Sequence, residues 1–160
     1  MTSTTKNTEA TQPQPTSVAD KRPIRIFSSP FNHGRYCVVR DNDELKQLCE
    51  EINCDEKVFS RLTTQEAQTV WITNEEADST LSVIRMNLIL TEESRFQCVS
   101  TLLHECVHVA QNIFEAMGEK EPSREFQAYL INQIFDNVGV EYFRDDPVFQ
   151  KCFVDDDEAV

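Results

Sequence analysis

Residues 101–111 read Thr101-Leu102-Leu103-His104-Glu105-Cys106-Val107-His108-Val109-Ala110-Gln111. Between 101 and 110 the run has no proline and no charge except Glu105, so it reads as the middle of a helix. Inside it stands the pattern H-E-x-x-H. Four residues advance a helix by about 400°, which places His104 and His108 on one face, one turn apart. That spacing lets both imidazoles bind one Zn²⁺ at roughly 2.0–2.1 Å. Glu105 lies about 100° round from His104, near such an ion but not needed as its ligand. From there it can polarise a metal-bound water and later pass the proton to a leaving amine.

Working outward, Thr91 is the expected cap of this helix, with Glu92 and Glu93 in its first turn, where carboxylates suit the helix dipole. The helical pattern runs to Met117, and Gly118 is a natural residue to end it. On a helical wheel Gln97, Thr101, His104, His108 and Gln111 share a polar arc. Phe96, Val99, Leu103, Cys106, Ala110, Phe114 and Met117 form the expected apolar arc. Pro122-Ser123 starts a further helix to about Asn137, ended by a Gly139 break. Tyr142, Phe143, Val148, Phe149 and Phe153 are expected to pack back on the body.

Upstream the periodicity changes. Ile24, Ile26 and Phe27 suggest a short strand, Asn32-His33-Gly34 a turn, and Tyr36–Val39 a second strand. Asp41 or Asp43 can cap a helix through Ile52, with Leu45, Leu48, Cys49 and Ile52 on one face. Val70-Trp71-Ile72 is a β-type run, Asn74 to Ser79 an acidic turn, and Leu81–Leu90 an apolar strand buried along most of its length. The last two runs read as a hairpin. The expected class is α+β: a small antiparallel or mixed sheet packed on the long H-E-x-x-H helix and a second helix bearing a ligand. Residues 1–22 are polar and Pro-rich and should be a disordered tail. Residues 23–153 make one domain, and 154–160 form an acidic C-terminal tail.

Two histidines do not hold a catalytic zinc, which takes three protein ligands and an open position. His33 is the only other histidine and falls in the upstream turn. No histidine follows His108, which excludes the longer H-E-x-x-H-x-x-G-x-x-H arrangement. A downstream carboxylate is the natural choice. Glu125 reaches the metal if the loop from Gly118 to Pro122 doubles back. A simple α-hairpin turning near residue 120 places Asp136 opposite His104 instead. Geometry alone leaves both open. A site of two histidines and a carboxylate favours one zinc ion.

At these residues the chain resembles the zincin metallopeptidases, in the gluzincin-like branch where a Glu on the next helix completes the H-E-x-x-H site. Glu125-x-x-Ala128 after His104-Glu105-x-x-His108 is also similar to small ImmA/IrrE-type peptidase domains. The run from Thr101 to Gln111, then Gly118-Glu119, then Glu125–Tyr129, resembles small uncharacterised H-E-x-x-H proteins of tailed phages and prophages. The resemblance covers about residues 80–137. It implies His104, His108 and Glu125 as zinc ligands and Glu105 as general base. It also implies that the strand Leu81–Leu90 borders the cleft, where an extended peptide adds by β-augmentation. The chain lacks the downstream histidine that many zincins use for the oxyanion. Tyr129 can supply a phenol for that role. Cys106 points off the metal face and reads as core.

Composition bounds the partners. The formal net charge is −13, which argues against a nucleic-acid binder and against an anionic membrane surface. No apolar run approaches the ~20 residues of a membrane span, and Met1–Asp20 has no secretory apolar core. The six cysteines form no C-x-x-C pair and are spaced like buried free thiols of a reducing cytoplasm. From the motif and the resemblance, the expected function is zinc-dependent hydrolysis of peptide bonds in a peptide or protein substrate. The alternative is a metal-stabilised, non-catalytic interaction protein that binds a phage or host partner.

Overall fold

The computed structural model describes residues 23–59, 67–74 and 79–154. The fold is α+β. In chain order its regular elements are β1 (Phe27–Ser28), a 3-10 turn (Pro30–Asn32), β2 (Arg35–Val39), α1 (Asn42–Ile52), a second 3-10 turn (Glu56–Val58), β3 (Ala67–Asn74), β4 (Ser79–Met86), α2 (Arg95–Met117), α3 (Arg124–Tyr142) and α4 (Pro147–Val154). The expected tail over 1–22 lies outside the described residues, as do 155–160. Val154, expected in the acidic tail, is the last residue of α4.

Strands β2 and β4 are apolar on both faces, and the sheet shows why. The strand order is β1-β2-β4-β3, so both are internal. Tyr36, Val38, Ile84 and Met86 point to one side, into a core shared with α2 and α3. Cys37, Val39, Leu81 and Val83 point to the other, against Leu45, Leu48 and Cys49 of α1. A strand covered on both faces needs no polar alternation. β2 and β4 run parallel, with Cys37 opposite Val83. β3 and β4 run antiparallel in the register Ala67 to Met86 and Asn74 to Ser79.

Two expectations for this region change. The strand foreseen over Leu81–Leu90 ends at Met86; Leu88 turns into the core while Ile89 is 72% exposed. More important, β4 is flanked by β2 and β3, so its hydrogen-bonding groups are taken on both sides and it cannot accept an added strand. Among the described residues, the free edge beside α2 belongs to β3.

Helix ends follow from their side chains. Asp41 caps α1 by accepting from the Glu44 N–H at 2.8 Å, and Asn53 ends it in the left-handed region. The start of α2 differs from the expected Thr91 cap. Thr91 N–H donates to Ser94 Oγ at 2.8 Å, and Ser94 N–H donates to Thr91 Oγ1 at 3.2 Å. This reciprocal pair closes a turn of its own, so the helix begins at Arg95 and Glu92 and Glu93 precede it. Gly118, at φ 69°, terminates α2 as expected. Ser123 caps α3, but that helix runs through Gly139 to Tyr142 rather than stopping near Asn137. A glycine inside a helix costs about 1 kcal/mol. Here that is offset by the burial of Val138, Tyr142 and Phe143 on the same segment.

The buried face of α2 is also rotated from the expected apolar arc. It comprises Cys98, Leu102, Glu105, Cys106, Val109, Ala110, Ile113 and Phe114. Phe96 and Leu103 face outward, 83% and 42% exposed. The helix is wedged between sheet and α3, so it buries a wider and differently centred arc than a single-sided contact requires. Of the aromatic residues expected to pack back, Tyr142 and Phe143 are buried, and Phe149 stacks on Phe143 at 4.1 Å between ring centroids. Val148 stays 48% exposed, and the Phe153 side chain lies outside those described. Cys37, Cys49, Cys54, Cys98 and Cys106 are free thiols. No helix among the described residues is long and apolar enough to cross a membrane.

Asp146 ties two helix starts together. Its Oδ1 accepts from the N–H groups of Val148 and Phe149, at the start of α4, and its Oδ2 accepts from Arg95 Nε at 3.1 Å, at the start of α2. Burial opposes the charged form. The Phe149 and Val148 N–H groups and the Arg95 guanidinium outweigh it and hold the carboxyl below its ordinary range. A carboxyl depressed in the folded chain stabilises the fold above the ordinary value of about 3.9. That contribution fades as the pH falls through the folded value. Asp146→Asn is therefore expected to be less stable than wild type at neutral pH and to show a flatter acid limb. Urea midpoints between about pH 5 and pH 3 read this directly; parallel curves for the two proteins would refute it.

Candidate metal centre

His104 and His108 share one face of α2, as their spacing predicts, and both are exposed. Their Nε2 atoms are 3.1 Å apart. The rings meet edge to face, 4.8 Å between centroids and 84° between planes. Two nitrogens that converge on one point this closely match adjacent donors around a tetrahedral zinc. Bonds of roughly 2.0–2.1 Å there put neighbouring ligand atoms about 3.3 Å apart. The pair thus fits two corners of a zinc site. On its far side, His108 Nδ1 is 3.0 Å from Gln111 Oε1, the kind of outer partner that orients a ligating imidazole.

Glu105 is only 6% exposed. Its carboxylate reaches the sheet, where Thr69 Oγ1 on β3 donates to Oε2 at 2.7 Å. The same hydroxyl lies 3.3 Å from the Glu105 carbonyl oxygen. A buried carboxylate needs such a donor, since leaving it without one costs the full desolvation penalty. Strand alternation puts Thr69, Trp71 and Thr73 on one face of β3, opposite Ile84, Ser82 and Thr80 of β4. Asn112 continues the seam by donating to Ser82 Oγ at 3.4 Å. The free sheet edge and the H-E-x-x-H helix therefore meet along one line, with Glu105 at their junction.

The chain stands without a match among family models, curated proteins or solved structures.

The remaining expected site residues are on α3. Glu125 is in its first turn, exposed, where its charge complements the helix dipole. Asp136 is exposed further along the same helix. Among the described residues no group of three or more His, Cys, Asp and Glu side chains is gathered to hold a metal ion. The structure thus brings His104 and His108 together, and neither Glu125 nor Asp136 joins them in such a group. Tyr129 is 70% exposed, so its ring is not packed into the core. Cys106 is fully buried, and burial, reinforced by the nearby Glu105 charge, pushes its thiol up to about 12. It belongs to the core.

Sequence reasoning missed Thr69. Its partner is 36 residues away, and nothing local marks one threonine in a β-type run as the donor to a distant carboxylate.

Proposed function

We propose that this chain is a minimal zincin-like, zinc-dependent peptidase acting in the cytoplasm. The observation that carries the reading is the convergence of the His104 and His108 Nε2 atoms, with Glu105 held at the adjoining free edge of β3. A divalent cation bound there supplies Lewis acidity to polarise the peptide carbonyl. His104 and His108 would hold it; the resemblance to the gluzincin-like branch supports Glu125 as the third ligand, which would have to approach the pair from its place in the first turn of α3. Glu105 takes a proton from the attacking water and returns it to the leaving amine. Thr69 keeps one carboxylate oxygen engaged and leaves the other for that transfer. The β3 edge offers backbone groups to an extended peptide, which aligns it beside the base. Tyr129, free of packing, is available to stabilise the oxyanion.

Exposure of Phe96 and Leu103 on the helix that carries the histidines favours a second reading, a metal-stabilised interaction protein without catalysis.

Metal content tests the common premise. Zinc titrations should give one ion per wild-type chain, with affinity lowered at least about 100-fold by His104→Ala, which removes a direct ligand. Glu125→Ala should weaken it as well. Equal zinc binding by wild type and His104→Ala would end both readings.

A further inference from the structure

His108 and Gln111 are three residues apart on α2 and so share a face. The amide oxygen of Gln111, 3.0 Å from His108 Nδ1, can only accept a hydrogen bond. That contact requires the hydrogen of His108 to sit on Nδ1. A neutral imidazole carries one N–H, so His108 Nε2 is left with a bare lone pair. The lone pair faces His104 Nε2 at 3.1 Å, and His104 must be the donor in that contact. Read as hydrogen bonds, the two contacts make the rings opposite tautomers, although the motif treats them as equivalent.

We propose that Gln111 is a positioning residue that presets His108 as a nitrogen donor, and that His104 is the histidine that changes tautomer when a divalent cation enters between them. The proton balance closes: His104 Nε2 gives its hydrogen to water and Nδ1 takes one from water. Both rings stay neutral and no net proton is released. Among the described residues His104 has no hydrogen-bond partner besides His108, so no contact holds its hydrogen in place once the cation arrives. The tautomer assignment stands on the hydrogen bonds alone, whereas the cation step rests on the proposed metal centre.

The test is ¹⁵N NMR of the imidazole nitrogens in the full chain, above the ordinary imidazole titration range, first metal-free and then with Zn²⁺ added. Metal-free protein should show hydrogen on Nδ1 of His108 and on Nε2 of His104. Zn²⁺ should invert the His104 pattern and leave His108 as it was. Gln111→Ala should give His108 a mixture of tautomers and lower zinc affinity about tenfold, and Gln111→Glu, which keeps an acceptor, should restore both. Gln111 is exposed and both replacements are good helix formers, so the variants retain α2. Hydrogen on Nε2 of His108 in metal-free wild type would overturn the proposal. So would a Gln111→Ala protein matching wild type in tautomer and zinc affinity. Expected tautomers with no zinc uptake would uphold Gln111 as the orienting residue and overturn the cation step together with the metal-centre reading.

Discussion

Glu105→Gln is expected to lower hydrolysis of an unfolded protein substrate by about 10²–10⁴-fold, the range for loss of a general acid–base group. The replacement is nearly isosteric. Its amide oxygen still accepts from Thr69 Oγ1, the 2.7 Å contact that anchors the side chain in the wild type. Fold and metal affinity should therefore stay close to wild type, and the loss should fall on turnover. The comparison needs zinc-loaded wild type and variant at equal metal content, assayed together. Undiminished turnover in the metal-loaded variant would remove Glu105 from the chemistry. A site that merely holds a structural cation has no use for a carboxylate at this position, so the experiment also separates catalysis from simple metal binding.

Leu102→Ala is the second large effect. Leu102 is fully buried in the core between α2, α3 and the sheet, beside Cys98, Cys106 and Val109. Truncating a buried leucine costs about 2–5 kcal/mol, with the larger values where the cavity cannot collapse. Its neighbours are pinned by β2 and β4 on one side and by α3 on the other, so little collapse is available. Urea unfolding should show a lower midpoint with an unchanged slope. A change under about 1 kcal/mol would mean that this face of α2 is not core. The test bears on the rotated burial of the helix, because the simple wheel put Leu103 inward, and Leu103→Ala should be mild by comparison.

How much of this was legible in the sequence depends on the range over which each signal acts. His104 and His108 converge because helix geometry alone brings positions four apart together, so the motif sufficed. Gly118 and Ser123 act through their own backbone neighbours, and both helix ends fell where expected. The apolar runs of β2 and β4 signalled strands buried on both faces. They did not signal which strand lies at the edge, since strand order comes from the crossover between β2 and β4. The resemblance puts the docking strand at Leu81–Leu90, which the strand order makes internal. Gly139 reads as a stop because its local propensity is poor, and the burial of Val138 and Tyr142 overrides it. Thr91 reads as a cap because its pairing with Ser94 cannot be told from a helix start by composition. Thr69 was invisible because its role exists only after sheet and helix meet.

That last contrast has a kinetic side. The histidine pair sits within one turn of one helix, so it assembles with no loop to close, on the submicrosecond to microsecond scale of helix formation. The Thr69 contact with Glu105 spans 36 residues and forms only once β3 has docked on β4, a slower, non-local event. In the proposed metal centre, two nitrogens that converge in a partly folded chain would take up a cation before Glu105 has found its hydrogen bond. Such early capture also sets a ceiling on what the ion contributes to stability. Any affinity the unfolded or half-folded chain has for zinc subtracts from the gain that the folded state shows.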